Sequence, residues 1–115
     1  MPNHPQTNTT VTVAVDFCYG HRLLDYTGKC QHLHGHNGRV EITALSRDLD
    51  QTGFVIDFSD LKSFAKEWID TEWDHRMQLN ERDPLISAIA PLDNQLRVVP
   101  FNPTAENMAP SYTAR

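Results

Sequence analysis

Six histidines stand in this chain, and four of them, His21, His32, His34 and His36, crowd into residues 21–36 together with Cys30. Imidazole nitrogen and thiolate sulfur are the side-chain atoms that bind borderline-soft metal ions. His34-Gly35-His36 is an H-x-H pair, and on extended backbone residues i and i+2 project from one face, so both imidazoles reach a single ion. Gly35 between them leaves room for a ligand or a neighbouring backbone to come close. His21 supplies a third nitrogen once the segment ending there pairs with the one that follows. Three histidines fill three corners of a tetrahedron and leave the fourth open, which is the arrangement of catalytic rather than structural zinc. The competing reading is a solvated, histidine-rich loop without metal, because H-x-H is a short motif.

Cys30 admits two roles. As a fourth ligand it closes the site and makes it structural; as a thiol facing the ion it serves as an acid/base group, since a nearby divalent cation eases its deprotonation. Cys18, flanked by Phe17 and Tyr19, reads as an inert packed thiol. His32 reads as an exposed loop residue, and His4 has no role. Asp74-His75 closes an amphipathic stretch. A carboxylate that orients an imidazole makes a proton shuttle, whereas a lone His at a helix C-terminus commonly just offsets unpaired carbonyls. Adjacent side chains diverge on a helix, so this pair works together only where the helix has ended.

The elements that must position these groups are legible. Val11, Val13, Val15 and Phe17 alternate with Thr12, Ala14 and Asp16, a half-buried strand beginning at Thr10. A polar stretch from Tyr19 to Gln31 follows. Val40, Ile42 and Ala44 then alternate with Arg39, Glu41 and Thr43, which predicts an antiparallel hairpin with a long, functional connection. Leu61, Phe64, Ala65, Trp68 and Ile69 recur with helical spacing and predict a helix that lays one stripe on the sheet, capped by Asp57 or Ser59. Residues 83–90 predict a short helix and residues 96–99 a short strand. Asn102-Pro103 looks like a helix start, with Asn102 as cap. Pro110 interrupts that helix at once, so the chain reads as cut short or altered near residues 108–110.

With 115 residues, 39% of them hydrophobic, the chain makes a single domain, expected over residues 10–115, with residues 1–9 a disordered arm. Ten Lys plus Arg against fifteen Asp plus Glu leave a formal charge of −5, which argues against nucleic acid as a partner. There is no run of 18 apolar residues to cross a membrane and no secretory signal at the start, and two cysteines are too few for a disulfide scaffold. The expected location is the cytoplasm, with both thiols reduced.

Taken together, Phe17-x-x-x-His21-Arg22-Leu23, Gly28-Lys29-Cys30, His34-Gly35-His36-Asn37, the run Gly53 to Lys62, Asp74-His75 with Leu79-Asn80, and Pro103-Thr104-Ala105-Glu106-Asn107 resemble the 6-pyruvoyl-tetrahydropterin synthase superfamily. They lie in family order over roughly residues 11 to 109. The C-x-x-x-H-G-H spacing resembles the 6-carboxy-tetrahydropterin synthase branch of 7-deazaguanine (queuosine) biosynthesis; the biopterin branch typically has a longer gap. The resemblance implies an α+β tunnelling fold (T-fold), an antiparallel sheet with helices on one face, assembled as a homo-oligomer, commonly a hexamer, with active sites between subunits. It implies a lyase that converts 7,8-dihydroneopterin triphosphate to 6-carboxy-tetrahydropterin with loss of acetaldehyde and triphosphate. By the same resemblance His21, His34 and His36 hold Zn2+, Cys30 is the proton-abstracting base, Asp74 and His75 form a relay from a neighbouring subunit, and Thr104 and Glu106 contact the pterin. The family continues beyond the Pro-Thr-x-Glu-Asn segment with a long helix, further strand and a pterin-gripping glutamate that have no counterpart here, so the chain is expected to be C-terminally truncated. Sibling reactions remain open alternatives: triphosphate elimination to a 6-pyruvoyl product, or a non-catalytic zinc- or pterin-binding member. Arg22, Lys29 and Arg39 are positional candidates for phosphate contact.

Overall fold

A computed structural model describes residues 8–109. Residues 1–7 of the expected arm lie outside the described residues, while Thr9, expected in the arm, already belongs to a strand; of the expected break near residues 108–110, Pro110 lies outside them. Within them, β1 (Thr9–His21) and β2 (His34–Ser46) form one long antiparallel ladder, from Thr9 opposite Ser46 to His21 opposite His34. The alternation fixes which face is buried: Val13 and Val15 are buried, with Val11, Phe17, Val40, Ile42 and Ala44 packed against the same cluster. Both strands run further than expected. Tyr19–His21 belongs to β1 and His34–Asn37 to β2, because histidines and glycines there keep the ladder without the apolar alternation that reveals a strand in sequence.

Gly53, at φ +92°, turns the chain toward α1 (Phe58–Glu72). Asp57 caps that helix by accepting the Ser59 N–H at 2.8 Å. Leu61, Ala65 and Ile69 are buried against β1, as the spacing predicts, whereas Phe64 is 42% exposed. Trp73, just past the helix, fills the core in addition, edge-on to Trp68. Losing the cap acceptor in Asp57→Ala is expected to cost about 1 kcal/mol, read as a lower midpoint in urea unfolding.

β3 (Arg76–Asn80) pairs with β1, and β4 (Arg97–Val99) pairs with β3, giving the order β2-β1-β3-β4. The α+β architecture stands, but the sheet is mixed rather than antiparallel throughout. β3 runs parallel to β1, and β4 parallel to β3. The reason lies in the connections: α1 carries the chain back across the sheet before β3, and residues 81–96, including the short α2 (Ile86–Ile89), do the same before β4. β3 itself had no sequence expectation, because Gln78 and Asn80 sit buried in a strand too short to show alternation. α3 (Ala105–Met108) follows β4, capped by Thr104 rather than Asn102. Asn102 is used otherwise: its amide exchanges hydrogen bonds of 3.0 and 2.9 Å with the backbone of Leu24 and accepts from Asn80 Nδ2 at 3.1 Å. That side chain ties the β1–β2 connection to the end of β3.

Candidate metal centre and its relay

Because His21 and His34 are ladder partners and His36 lies two residues further along, all three side chains leave the same face of the hairpin end. Their ring centroids are 4.5, 4.7 and 5.0 Å apart, and one nitrogen from each ring lies within 4.8 Å of the others. His21 is buried, His34 half-buried and His36 exposed. His21 Nδ1 lies 2.6 Å from the Pro103 carbonyl and His34 Nδ1 2.7 Å from the His32 carbonyl. A carbonyl only accepts, so each Nδ1 carries the proton and each Nε2 presents a lone pair. Both Nε2 atoms are buried without a hydrogen-bond partner. Burial also pushes the His21 pKa down, which keeps the ring in the neutral form that ligates metal. Two orphaned lone pairs aimed beside a third imidazole are a chemical fit to a divalent ion such as zinc.

Gly35 is not forced to be glycine by its own chain, since an added Cβ would meet nothing closer than the Tyr19 carbonyl at 3.5 Å. Cys30 sits half-buried in a 3₁₀ turn, Lys29–Gln31, and its sulfur is not among the atoms gathered around the histidines. Among the described residues the cluster is thus three nitrogens with no fourth ligand atom gathered beside them. His32 is exposed, as expected. Thr104 spends its hydroxyl on the Asn107 N–H at 3.1 Å, while Glu106 is exposed in the first turn of α3. Sequence reasoning gave Pro103 a place in a helix start and in the family motif but no part in the metal centre. The Pro103 carbonyl fixes the His21 tautomer across 82 positions of chain, a contact that only folding reveals.

Asp74 and His75 do come together, because α1 has already ended at Glu72. Asp74 Oδ2 lies 3.0 Å from His75 Nδ1, and Asp74 Oδ1 accepts the Cys18 N–H at 3.0 Å. That backbone hydrogen bond, followed by the contact with His75, holds the Asp74 pKa below the usual carboxylate value. His75 adopts φ +59° and donates its own N–H to the Cys18 carbonyl at 2.7 Å, which holds the left-handed turn in place. Its Nε2 then lies 3.4 Å from the Cys18 sulfur. An open cleft of ≈ 630 Å³ is bordered by Cys18, His75, His34, His36 and Asn37 among others, although the ladder puts Cys18 and Asn37 on the sheet face opposite His21, His34 and His36. Of the basic candidates for phosphate contact, Arg22 is paired with Asp83 and Arg39 with Asp16.

Fold and site together define a pterin-synthase-like protein, and comparison with known proteins agrees. The chain belongs to the 6-pyruvoyl tetrahydropterin synthase family, whose model matches residues 10–114. It is 40% identical over 102 residues to the 6-carboxy-5,6,7,8-tetrahydropterin synthase of Rickettsia typhi, an alignment covering 85% of this chain and 72% of that one. The enzyme of the same name from Haemophilus influenzae is 41% identical over 101 residues, covering 81% and 71%. A solved structure of an uncharacterized protein from Wolinella succinogenes superposes with a TM-score of 0.75 at 30% identity, over 90% of this chain and 80% of that one. No helix among the described residues is long and apolar enough to cross a membrane.

Proposed function

We propose that this chain is a zinc-dependent lyase that converts 7,8-dihydroneopterin triphosphate to 6-carboxy-5,6,7,8-tetrahydropterin with release of acetaldehyde and triphosphate. It does so as a cytoplasmic homo-oligomer, in 7-deazaguanine biosynthesis. The observation that carries the reading is the three-histidine cluster with its two proton-fixed imidazoles and no fourth ligand atom among the described residues. The names of the relatives supply the substrate class.

His21, His34 and His36 hold the ion. When bound, zinc supplies Lewis-acid stabilisation of negative charge developing on the substrate side chain. The Pro103 and His32 carbonyls keep the Nε2 lone pairs of His21 and His34 directed at one point. Cys30 removes a proton from the substrate side chain. Asp74 holds the proton on His75 Nδ1, so that Nε2 is left to accept one. Thr104 and Glu106 contact the pterin. The gathering of three nitrogens without sulfur speaks against a closed, structural zinc site.

The test is incubation of the purified chain with dihydroneopterin triphosphate and zinc, with products identified by mass. The 6-carboxy product with acetaldehyde is expected. A 6-pyruvoyl product without acetaldehyde assigns the sibling elimination, and zinc uptake with no product assigns a non-catalytic binding role.

A further inference from the structure

Sequence gives Cys18 the part of an inert packed thiol, yet the folded chain places it at the end of a relay. His75 Nε2 lies 3.4 Å from Cys18 Sγ, His75 Nδ1 lies 3.0 Å from Asp74 Oδ2, and Asp74 Oδ1 accepts the Cys18 N–H at 3.0 Å. The two ring nitrogens of His75 face different partners, and both carboxylate oxygens of Asp74 are already engaged. That is the geometry of a proton relay rather than of a chelate converging on one ion. With Nδ1–H held by Asp74, Nε2 carries the lone pair and is placed to receive the thiol proton. Among the described residues Cys30 Sγ has no such partner, and the Cys30 carbonyl accepts the Leu23 N–H.

Access is open. Cys18 is half-buried and the His75 side chain is 78% exposed. Both residues border the cleft shared with His34 and His36, and also a neighbouring groove of ≈ 580 Å³ lined by Asp16, Asn37 and Arg39.

We propose that Cys18, His75 and Asp74 form an activated-thiol site that takes small carbon electrophiles entering this cleft. Iodoacetamide is the probe. The Cys18 Sγ–carbon bond forms as the carbon–iodine bond breaks, iodide leaves, and the thiol proton passes to His75 Nε2, whose imidazolium Asp74 stabilises. Because the chain has two cysteines, alkylation of each is followed separately by peptide mass. The readout is independent of turnover, so a failed lyase assay leaves it standing and a failed alkylation leaves the lyase reading untouched.

In the native full chain Cys18 is expected to alkylate at least about tenfold faster than in the same chain unfolded in guanidinium, because a packed thiol does the reverse. His75→Asn keeps a residue that tolerates the left-handed turn but removes the proton acceptor, and is expected to slow Cys18 by about tenfold. A native rate equal to or below the unfolded rate overturns the proposal. So does a His75→Asn chain, folded by circular dichroism, in which Cys18 reacts at the original rate. If that variant does not fold, the native-against-unfolded comparison alone decides.

Discussion

His34→Ala is expected to lose bound zinc and turnover together, whereas Cys30→Ala keeps the zinc and loses turnover alone. The first half follows from donor count. Among the described residues His34 provides one of three nitrogens gathered within 4.8 Å of one another, and its Nε2 is buried with no hydrogen-bond partner. Loss of a group that merely orients a ligand costs about 10–100-fold in metal affinity, so loss of the ligand itself costs more than about 100-fold. Zinc per chain after dialysis against a competing chelator reads this directly. The second half follows from where Cys30 sits, outside the gathered donors in its own 3₁₀ turn. Removing an acid/base group costs about 10²–10⁴-fold in rate while leaving the ion in place. If Cys30→Ala released the zinc, the sulfur would be a ligand and the site structural. Chelation of the native chain should abolish turnover, and added zinc should restore it.

The hairpin and α1 were legible because long alternation and helical spacing are local signals that burial enforces: Val13, Val15, Leu61, Ala65 and Ile69 are all core. The histidine cluster was legible for a related reason. H-x-H on a strand needs no tertiary information to put two rings on one face, and hairpin pairing alone brings His21 opposite His34. What escaped depends on crossovers. β3 joins β1 in parallel only after α1 has spanned the sheet, so neither the mixed pairing nor the approach of Asp74 and His75 to Cys18 leaves a local trace. Asn102 looked like a helix cap because Asn before Pro usually is one. Its amide instead bridges Leu24 and Asn80, and Thr104 takes the cap. In the same way Arg22, a positional candidate for phosphate contact, turns out to be half of a part-buried pair with Asp83.

That pair carries the second large effect: Asp83→Asn is expected to destabilise the fold by about 3 kcal/mol at neutral pH, or roughly 10 °C in Tm. Asp83 is 4% exposed, accepts from Arg22 Nε at 2.7 Å and from a second guanidinium nitrogen, and also accepts the Leu85 N–H at 2.8 Å. The contact ties the start of the β1–β2 connection, directly after His21, to the turn after β3. Removing the carboxylate leaves a guanidinium facing a neutral amide at a site mostly closed to water. The loss falls at the low end for a buried pair, because the Arg22 side chain keeps 22% exposure and can partly rehydrate. Arg22 holds the Asp83 pKa below the usual carboxylate value, with the Leu85 N–H adding to the effect. A carboxylate lowered on folding contributes stability that is complete above its unfolded pKa and disappears as pH falls toward the folded one. The original and Asp83→Asn chains should therefore differ fully at pH 7 and begin to converge only below about pH 4, where the unfolded carboxyl takes up its proton. Urea midpoints measured across that range check both the size and the sign. A gap that stayed constant to low pH would mean that shape rather than charge holds the connection in place.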